Sequence, residues 1–198
     1  IHYTMKKIIS AFLFPFLTCC VSAQNPSIEI LSTGTKTSLR GLSVVNDNII
    51  WVSGSNGIVG RSTNAGKNWK WLTVTGFEKT EFRDIEAFDG NTAIIMGIGE
   101  PAYILKTTDA GENWKVVYEN KTKGMFLDAM DFANNREGIV IGDPINGKVF
   151  IARTSNTGNT WEQVTEDERT PTADKGEAFF AASGSNVRLF VNNDYFIV

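Results

Sequence analysis

The sequence predicts an all-β repeat protein built from four-stranded antiparallel units, and three observations carry that reading. An eight-residue phrase occurs three times, as STNAGKNW (Ser62 to Trp69), TTDAGENW (Thr107 to Trp114) and TSNTGNTW (Thr154 to Trp161), with its closing tryptophans 45 and 47 residues apart. A steady period of about 20 to 50 residues marks a repeat architecture. Between the copies, apolar-rich runs of strand length alternate with Asn, Asp and Gly turns, and no stretch sustains the apolar period of about 3.6 that a helix needs.

Each copy of the phrase reads [Ser/Thr]-x-[Asp/Asn]-x-Gly-x-[Asn/Thr]-Trp, so its structural positions are Ser62, Asn64, Gly66 and Trp69, then Thr107, Asp109, Gly111 and Trp114, then Thr154, Asn156, Gly158 and Trp161. The pattern suits a tight turn between strands. A short Asp or Asn side chain can bond backbone N–H groups two residues on, and Gly tolerates positive φ. The tryptophan then anchors the outgoing strand, and core anchoring is preferred over sugar stacking for all three. The phrase resembles the Asp-box, or BNR repeat, of sialidase-type β-propellers. That resemblance implies a propeller in which the box joins the third and fourth strands of each blade and is structural rather than catalytic.

Taken from its start, the chain opens with an address. Ile1 to Thr4 read as sequence upstream of the true start at Met5; Lys6 and Lys7, the apolar run Ile8 to Cys20 and Val21-Ser22-Ala23 then describe a secretory signal peptide cut after Ala23. The run is short for a transmembrane helix, and Leu17-Thr18-Cys19-Cys20 lacks the small residue that precedes a lipidated cysteine, which disfavours a lipoprotein. The expectation is an exported protein, periplasmic or extracellular, with no transmembrane segment in the mature chain.

Removing residues 1–23 removes both cysteines and the single histidine. The mature chain then has no disulfide, thiolate nucleophile or imidazole base, and no zinc site of Cys or His ligands. Loss of Lys6 and Lys7 takes the net charge from −3 to −5. A mildly acidic export product offers no footprint for nucleic acid. No cofactor is called for, and no metal. Asp143, in Gly142-Asp143-Pro144, has carbonyls near it but no EF-hand-like spacing.

Residues 24–198 read as a partial propeller, with blades at about 38–74, 81–118 and 125–164 and a partial blade at 177–198. In the first, Ser38 to Val45, Ile49 to Ser53, Ile58 to Ser62 and the run from Trp69 to about Val74 are four strands, with Asn46-Asp47-Asn48 and Ser55-Asn56-Gly57 as turns. The second blade turns at Asp89-Gly90-Asn91 and Gly99-Glu100-Pro101-Ala102, the third at Asn134-Asn135 and Asp143 to Gly147. That last turn is longer, since Gly142 to Thr154 spans 12 positions where Gly54 to Ser62 and Gly99 to Thr107 each span 8. Residues 165–176 are polar and read as a connection. About three and a half blades are present, and a propeller closes as a ring of about four to eight. The preferred expectation is a fragment of a six- to eight-bladed ring; the other is self-association of two copies.

Aligned on the octapeptide, the openings of the first strands place Arg40, Arg83, Asp128 and Glu177 at corresponding positions around one channel mouth, with Asp84, Glu86 and Asp131 nearby. Two function classes compete for these residues. One is a non-enzymatic binding or assembly module, with a protein or carbohydrate partner, that docks through the charged mouth. The other is a glycoside hydrolase, which needs two carboxyl groups flanking a sugar bond, with Asp128 and Glu177, or Asp84 and Asp128, as conceivable pairs. The sialidase resemblance implies three arginines gripping a carboxylate, a Tyr activated by a Glu, and an Asp. Arg40 and Arg83 fit two of the arginines, but Ser38-Leu39-Arg40-Gly41-Leu42 stands where the family has a Phe-Arg-Ile-Pro type motif.

Leu39-Arg40-Gly41-Leu42-Ser43-Val44-Val45, Trp51-Val52-Ser53-Gly54, Phe82-Arg83-Asp84-Ile85 and the three octapeptides are further similar to exported propellers related to the photosystem II stability and assembly factor. That resemblance implies a non-enzymatic chaperone with an arginine-bearing surface that docks on a membrane-protein partner.

Overall fold

A computed structural model describes residues 28–31, 35–164, 170–180, 184–191 and 194–197. The expected export segment falls outside the described residues. The chain divides into a unit of residues 1–30 and one of residues 31–198, and all the described strands lie in the second.

Three antiparallel sheets follow one another, each with its strands in chain order. The first holds β1 (Leu39–Val44), β2 (Ile50–Gly54), β3 (Ile58–Ser62) and β4 (Lys70–Thr73). The second holds β5 (Phe82–Ala87), β6 (Ala93–Gly97), β7 (Ala102–Thr107) and β8 (Lys115–Asn120). The third holds β9 (Leu127–Phe132), β10 (Gly138–Ile145), β11 (Lys148–Thr154) and β12 (Glu162–Gln163). A two-stranded sheet of β13 (Val187–Leu189) and β14 (Tyr195–Ile197) comes last. No described residue is helical.

The register repeats with the sequence. Val44 pairs with Ile50, Ala87 with Ala93, Phe132 with Gly138 and Leu189 with Tyr195, so the same hairpin opens all four sheets. Its turn is built alike in three of them: Asn46, Asp89 and Asn134 each accept backbone N–H bonds two and three residues on.

Hydrophobic cores lie between successive sheets. Trp51, Val59 and Val74 meet Phe82, Ile85 and Ile95. Ile94, Met96 and Ile104 meet Leu127, Met130 and Trp161, and Ile139, Ile141 and Ile151 meet Val187 and Leu189. β6 is buried along its whole length because alternate side chains serve the core on either side. The first strands lie side by side, β1 against β5, β5 against β9 and β9 against β13.

Candidate functional site

The octapeptide folds identically three times. Thr107 Oγ1 accepts the N–H groups of Asp109 (3.3 Å) and Gly111 (3.1 Å) and donates to Asp109 Oδ1 at 2.9 Å, which in turn accepts the Asn113 N–H at 2.9 Å. Ser62 with Asn64 and Thr154 with Asn156 repeat the arrangement. The expected bond from the Asp or Asn to an N–H two residues on is corrected here. The carboxylate or amide serves the N–H four residues on, and the hydroxyl covers the nearer groups. Bonds from the Asn113 backbone and side chain and from Thr107 hold the Asp109 carboxyl below its ordinary range. The residue before each Gly is also left-handed, at φ 58° for Ala65, 66° for Ala110 and 61° for Thr157.

Only Trp161 of the three closing tryptophans is buried, edge-on to Phe132. Trp69 and Trp114 are half-buried, the first stacked on Trp71 and the second donating to its own turn at Gly111 O. Core anchoring is therefore corrected at Trp69, whereas Trp114 packs against the core between the first two sheets. The fully buried indole is Trp51, whose Nε1 donates to Asp89 O of the second sheet.

The charged positions singled out in β1, β5 and β9 share a backbone feature that the sequence did not show. Pairing skips one residue at Arg40, at Arg83 and at Asp128, so each is the extra residue of a β-bulge at the same place in its sheet. Bulges re-aim side chains and recur at functional rims. Arg40 is exposed and Arg83 half-exposed. Asp128 is fully buried, and neither carboxylate oxygen makes a well-formed hydrogen bond. Burial first, then the Asp143 carboxylate, pushes its pKa up to about 7, against Arg83 and the nearby Asp143 N–H, which itself bonds Phe126 O.

Asp84 follows the second bulge and stitches two sheets together. Its Oδ2 accepts the Met130 N–H of β9 at 2.8 Å and its Oδ1 the Ile85 N–H at 2.9 Å. Burial nonetheless outweighs those two bonds and, with Glu86 and Asp131 adding to it, pushes the pKa up to about 8.

Solved structures share this architecture. YCF48 bound to a D1 peptide matches with a TM-score of 0.52 at 22% identity, over 66% of this chain and 40% of that one. YCF48 from Cyanidioschyzon merolae gives 0.51 at 20% over 67% and 41%, and an ancestral GH74 enzyme gives 0.51 at 16% over 77% and 23%. The fold is that of β-propeller blades. This chain spans between about a quarter and two fifths of those structures' own length, and at such identities the likeness is one of fold alone. No protein-family model matches the chain, and no curated protein matches it.

The fourth blade is offset from its sequence assignment. Arg40, Arg83 and Asp128 lie four residues before Val44, Ala87 and Phe132, and the same count back from Leu189 reaches Ser185. Glu177 is exposed, ahead of β13, in a turn where its N–H bonds Asp174 O and its carboxylate accepts the Asp174 N–H. It therefore stands outside the row of bulges.

Glu86 and Asp131 do not share the bulge end either. They lie three residues further along β5 and β9, roughly 10 Å away at the usual rise per strand residue. There Ser43, Glu86, Asp131 and Arg188 take one register position in four successive first strands. Ser43 Oγ accepts the Ala87 N–H at 3.0 Å, and Asp131 accepts the Leu189 N–H at 2.6 Å and an Arg188 guanidinium bond at 2.8 Å.

Sequence reasoning also missed a cation in front of every octapeptide. Arg61 donates to Gly90 O of the next blade and stacks over Trp51. Lys106 donates to Thr157 O at 2.6 Å and Asn159 Oδ1 at 3.0 Å, and Arg153 lies over the Tyr195 ring at 5.0 Å. The signal was one basic residue immediately before each [Ser/Thr], outside the phrase that was aligned. Among the described residues no group of three or more His, Cys, Asp or Glu side chains could hold a metal ion.

Proposed function

We propose that this chain is part of an exported Asp-box propeller that binds a polypeptide through the bulged ends of its first strands, with Arg40 and Arg83 receiving carboxylates of the partner. The observation that carries this is the charged residue at the same bulge in three successive blades, with Arg40 exposed and Arg83 half-buried near Asp128. Guanidinium forks suit carboxylates and hold them in fixed orientation. Export rests on Lys6, Lys7, the apolar run Ile8 to Cys20 and the small residues Val21-Ser22-Ala23 at the expected cut. The YCF48 structure with a D1 peptide is a precedent for a propeller of this fold meeting a polypeptide.

The competing hydrolase reading is disfavoured by how the carboxyl groups are used. Asp84 spends both oxygens on backbone N–H groups, Asp128 is closed off from solvent, and Glu177 lies ahead of the strand that would carry it. A displayed library of random peptides, selected on the wild-type chain and on an Arg40→Ala/Arg83→Ala variant, tests the proposal. Enrichment of Asp-, Glu- or C-terminal-carboxylate-bearing peptides by the wild type alone is expected. Equal enrichment by both proteins, or turnover of a glycoside panel by the wild type, would overturn it.

A further inference from the structure

A second recognition site lies at the opposite end of the first strands. Val44, Val45, Glu86, Ala87, Phe88, Phe132, Asn134 and Asn135 line a cavity of about 250 Å³ there. Phe88 and Phe132, edge to face at 5.1 Å, border it but pack against the core, so its accessible lining is mainly polar. Its polar lining comes from Glu86 and the two asparagines of the β9–β10 turn. Asn134 spends its carbonyl on the Arg136 and Glu137 N–H groups and its amide on Glu137, whereas Asn135 is exposed.

The charges around Glu86 do not balance. Asp84 on its own strand, Asp131 on β9 and Arg188 on β13 are the charged groups that face it, and Ser43 on β1 hydrogen-bonds it. The Arg188 guanidinium is engaged by Asp131 at 2.8 Å, and Asp131 also accepts the Leu189 N–H. One guanidinium thus serves two carboxylates at this level, and the Glu86 carboxylate is the one beside the open cavity. Burial, reinforced by Asp131, pushes its pKa up to about 7, with Arg188 and Ser43 opposing.

We propose that this cavity receives a lysine ammonium from a polypeptide partner, with the Glu86 carboxylate as counter-ion and the Asn135 side chain at the entrance. A compact ammonium with three donors suits a small polar cavity that holds a carboxylate. The inference rests on the reading of the molecule as a polypeptide binder, and it assigns a basic residue to one mouth and carboxylates to the other. Binding of the cation favours ionised Glu86, so below neutral pH each binding event releases a proton to solvent.

The test is a nuclear magnetic resonance titration of the whole chain with N-acetyl-lysine methylamide, using N-acetyl-norleucine methylamide as the uncharged control. Shifts confined to Glu86, Asn134, Asn135 and their neighbours are expected, with affinity about tenfold weaker at pH 6 than at pH 8 because Glu86 is largely protonated at the lower pH. Glu86→Gln should weaken binding about tenfold, and Asn135→Leu, in an exposed turn, should block the entrance without touching the strands. Scattered shifts, equal shifts from norleucine, or binding unchanged in both variants would overturn the inference. Loss of this site with intact peptide binding at Arg40 and Arg83 would leave the proposed function standing, and the reverse result would remove that function while retaining a lysine site.

Discussion

The Asp84 carboxylate accepts the Met130 backbone N–H across a blade boundary at 2.8 Å, while Asp84 itself is only 8% exposed. A polar bond thus joins two first strands where the sheets' own ladders cannot reach. Gly184 sits on the same carboxylate, since a Cβ there would fall 2.6 Å from Oδ2. The joint is tight and desolvated, which gives it a dependence on pH.

Asp84, Glu86 and Asp128 are raised to about 8, 7 and 7 from ordinary values of 3.8, 4.5 and 3.8. Between about pH 5 and pH 8, above the range in which the lowered Glu78, Asp109 and Glu119 act, the folded chain therefore binds more protons than the unfolded one, so stability falls as pH rises through that window. Thermal unfolding is expected at a higher temperature at pH 5 than at pH 8, the reverse of a protein whose carboxylates are salt-bridged. Asp128→Asn should flatten the slope and raise stability at pH 8 by on the order of 1–3 kcal/mol. A melting temperature that rises steadily from pH 5 to pH 8 would contradict this account.

Gly158 has φ 66°, and a Cβ there would strike Ile94 of the preceding blade. Gly76, at φ 84°, faces open space. Replacing Gly76 by Ala should cost only the backbone strain, about 1 kcal/mol, whereas Gly158→Ala should cost about 2–4 kcal/mol because overpacking adds to it. Paired urea denaturation curves measure the difference.

Lys106 ties the second blade to the third octapeptide through Thr157 O and Asn159. Lys106→Met should destabilise the chain by about 1–2 kcal/mol by leaving the half-buried Thr157 carbonyl without this bond. Lys106→Arg, which copies the residues at positions 61 and 153, should recover most of that loss in the same chemical denaturation assay.

Thr157 is a β-branched residue at φ 61°, where the other octapeptides place Ala65 and Ala110. Its contacts to Lys106 and Arg136 run through its backbone. Thr157→Gly is therefore expected to stabilise the protein by about 0.5–1 kcal/mol. A lower unfolding midpoint for the variant would show that the threonine side chain has a packing role.

The octapeptide made the fold legible because its spacing, its hydroxyl and its Gly are all demanded by one local hydrogen-bond network. The position of Arg40, Arg83 and Asp128 was legible for the same reason, by counting from that network. That these are bulges was not, because a bulge is a relation between two strands and leaves no mark in either alone. Glu177 was misplaced because the described fourth blade has no octapeptide to count from. The row of Ser43, Glu86, Asp131 and Arg188 stayed hidden because four different side chains fill one register position, and only pairing with β2, β6, β10 and β14 aligns them.

The central claim is that the bulged arginines are a docking surface for carboxylates of a polypeptide. Its most direct measurement is the affinity of a selected acidic peptide for the wild-type chain and for Arg40→Glu/Arg83→Glu, titrated at low and high salt. The account predicts at least a tenfold loss in the variant at low salt, with the difference shrinking as salt screens the charges and with the unfolding midpoint unchanged. Equal affinity for both proteins at low salt would contradict it.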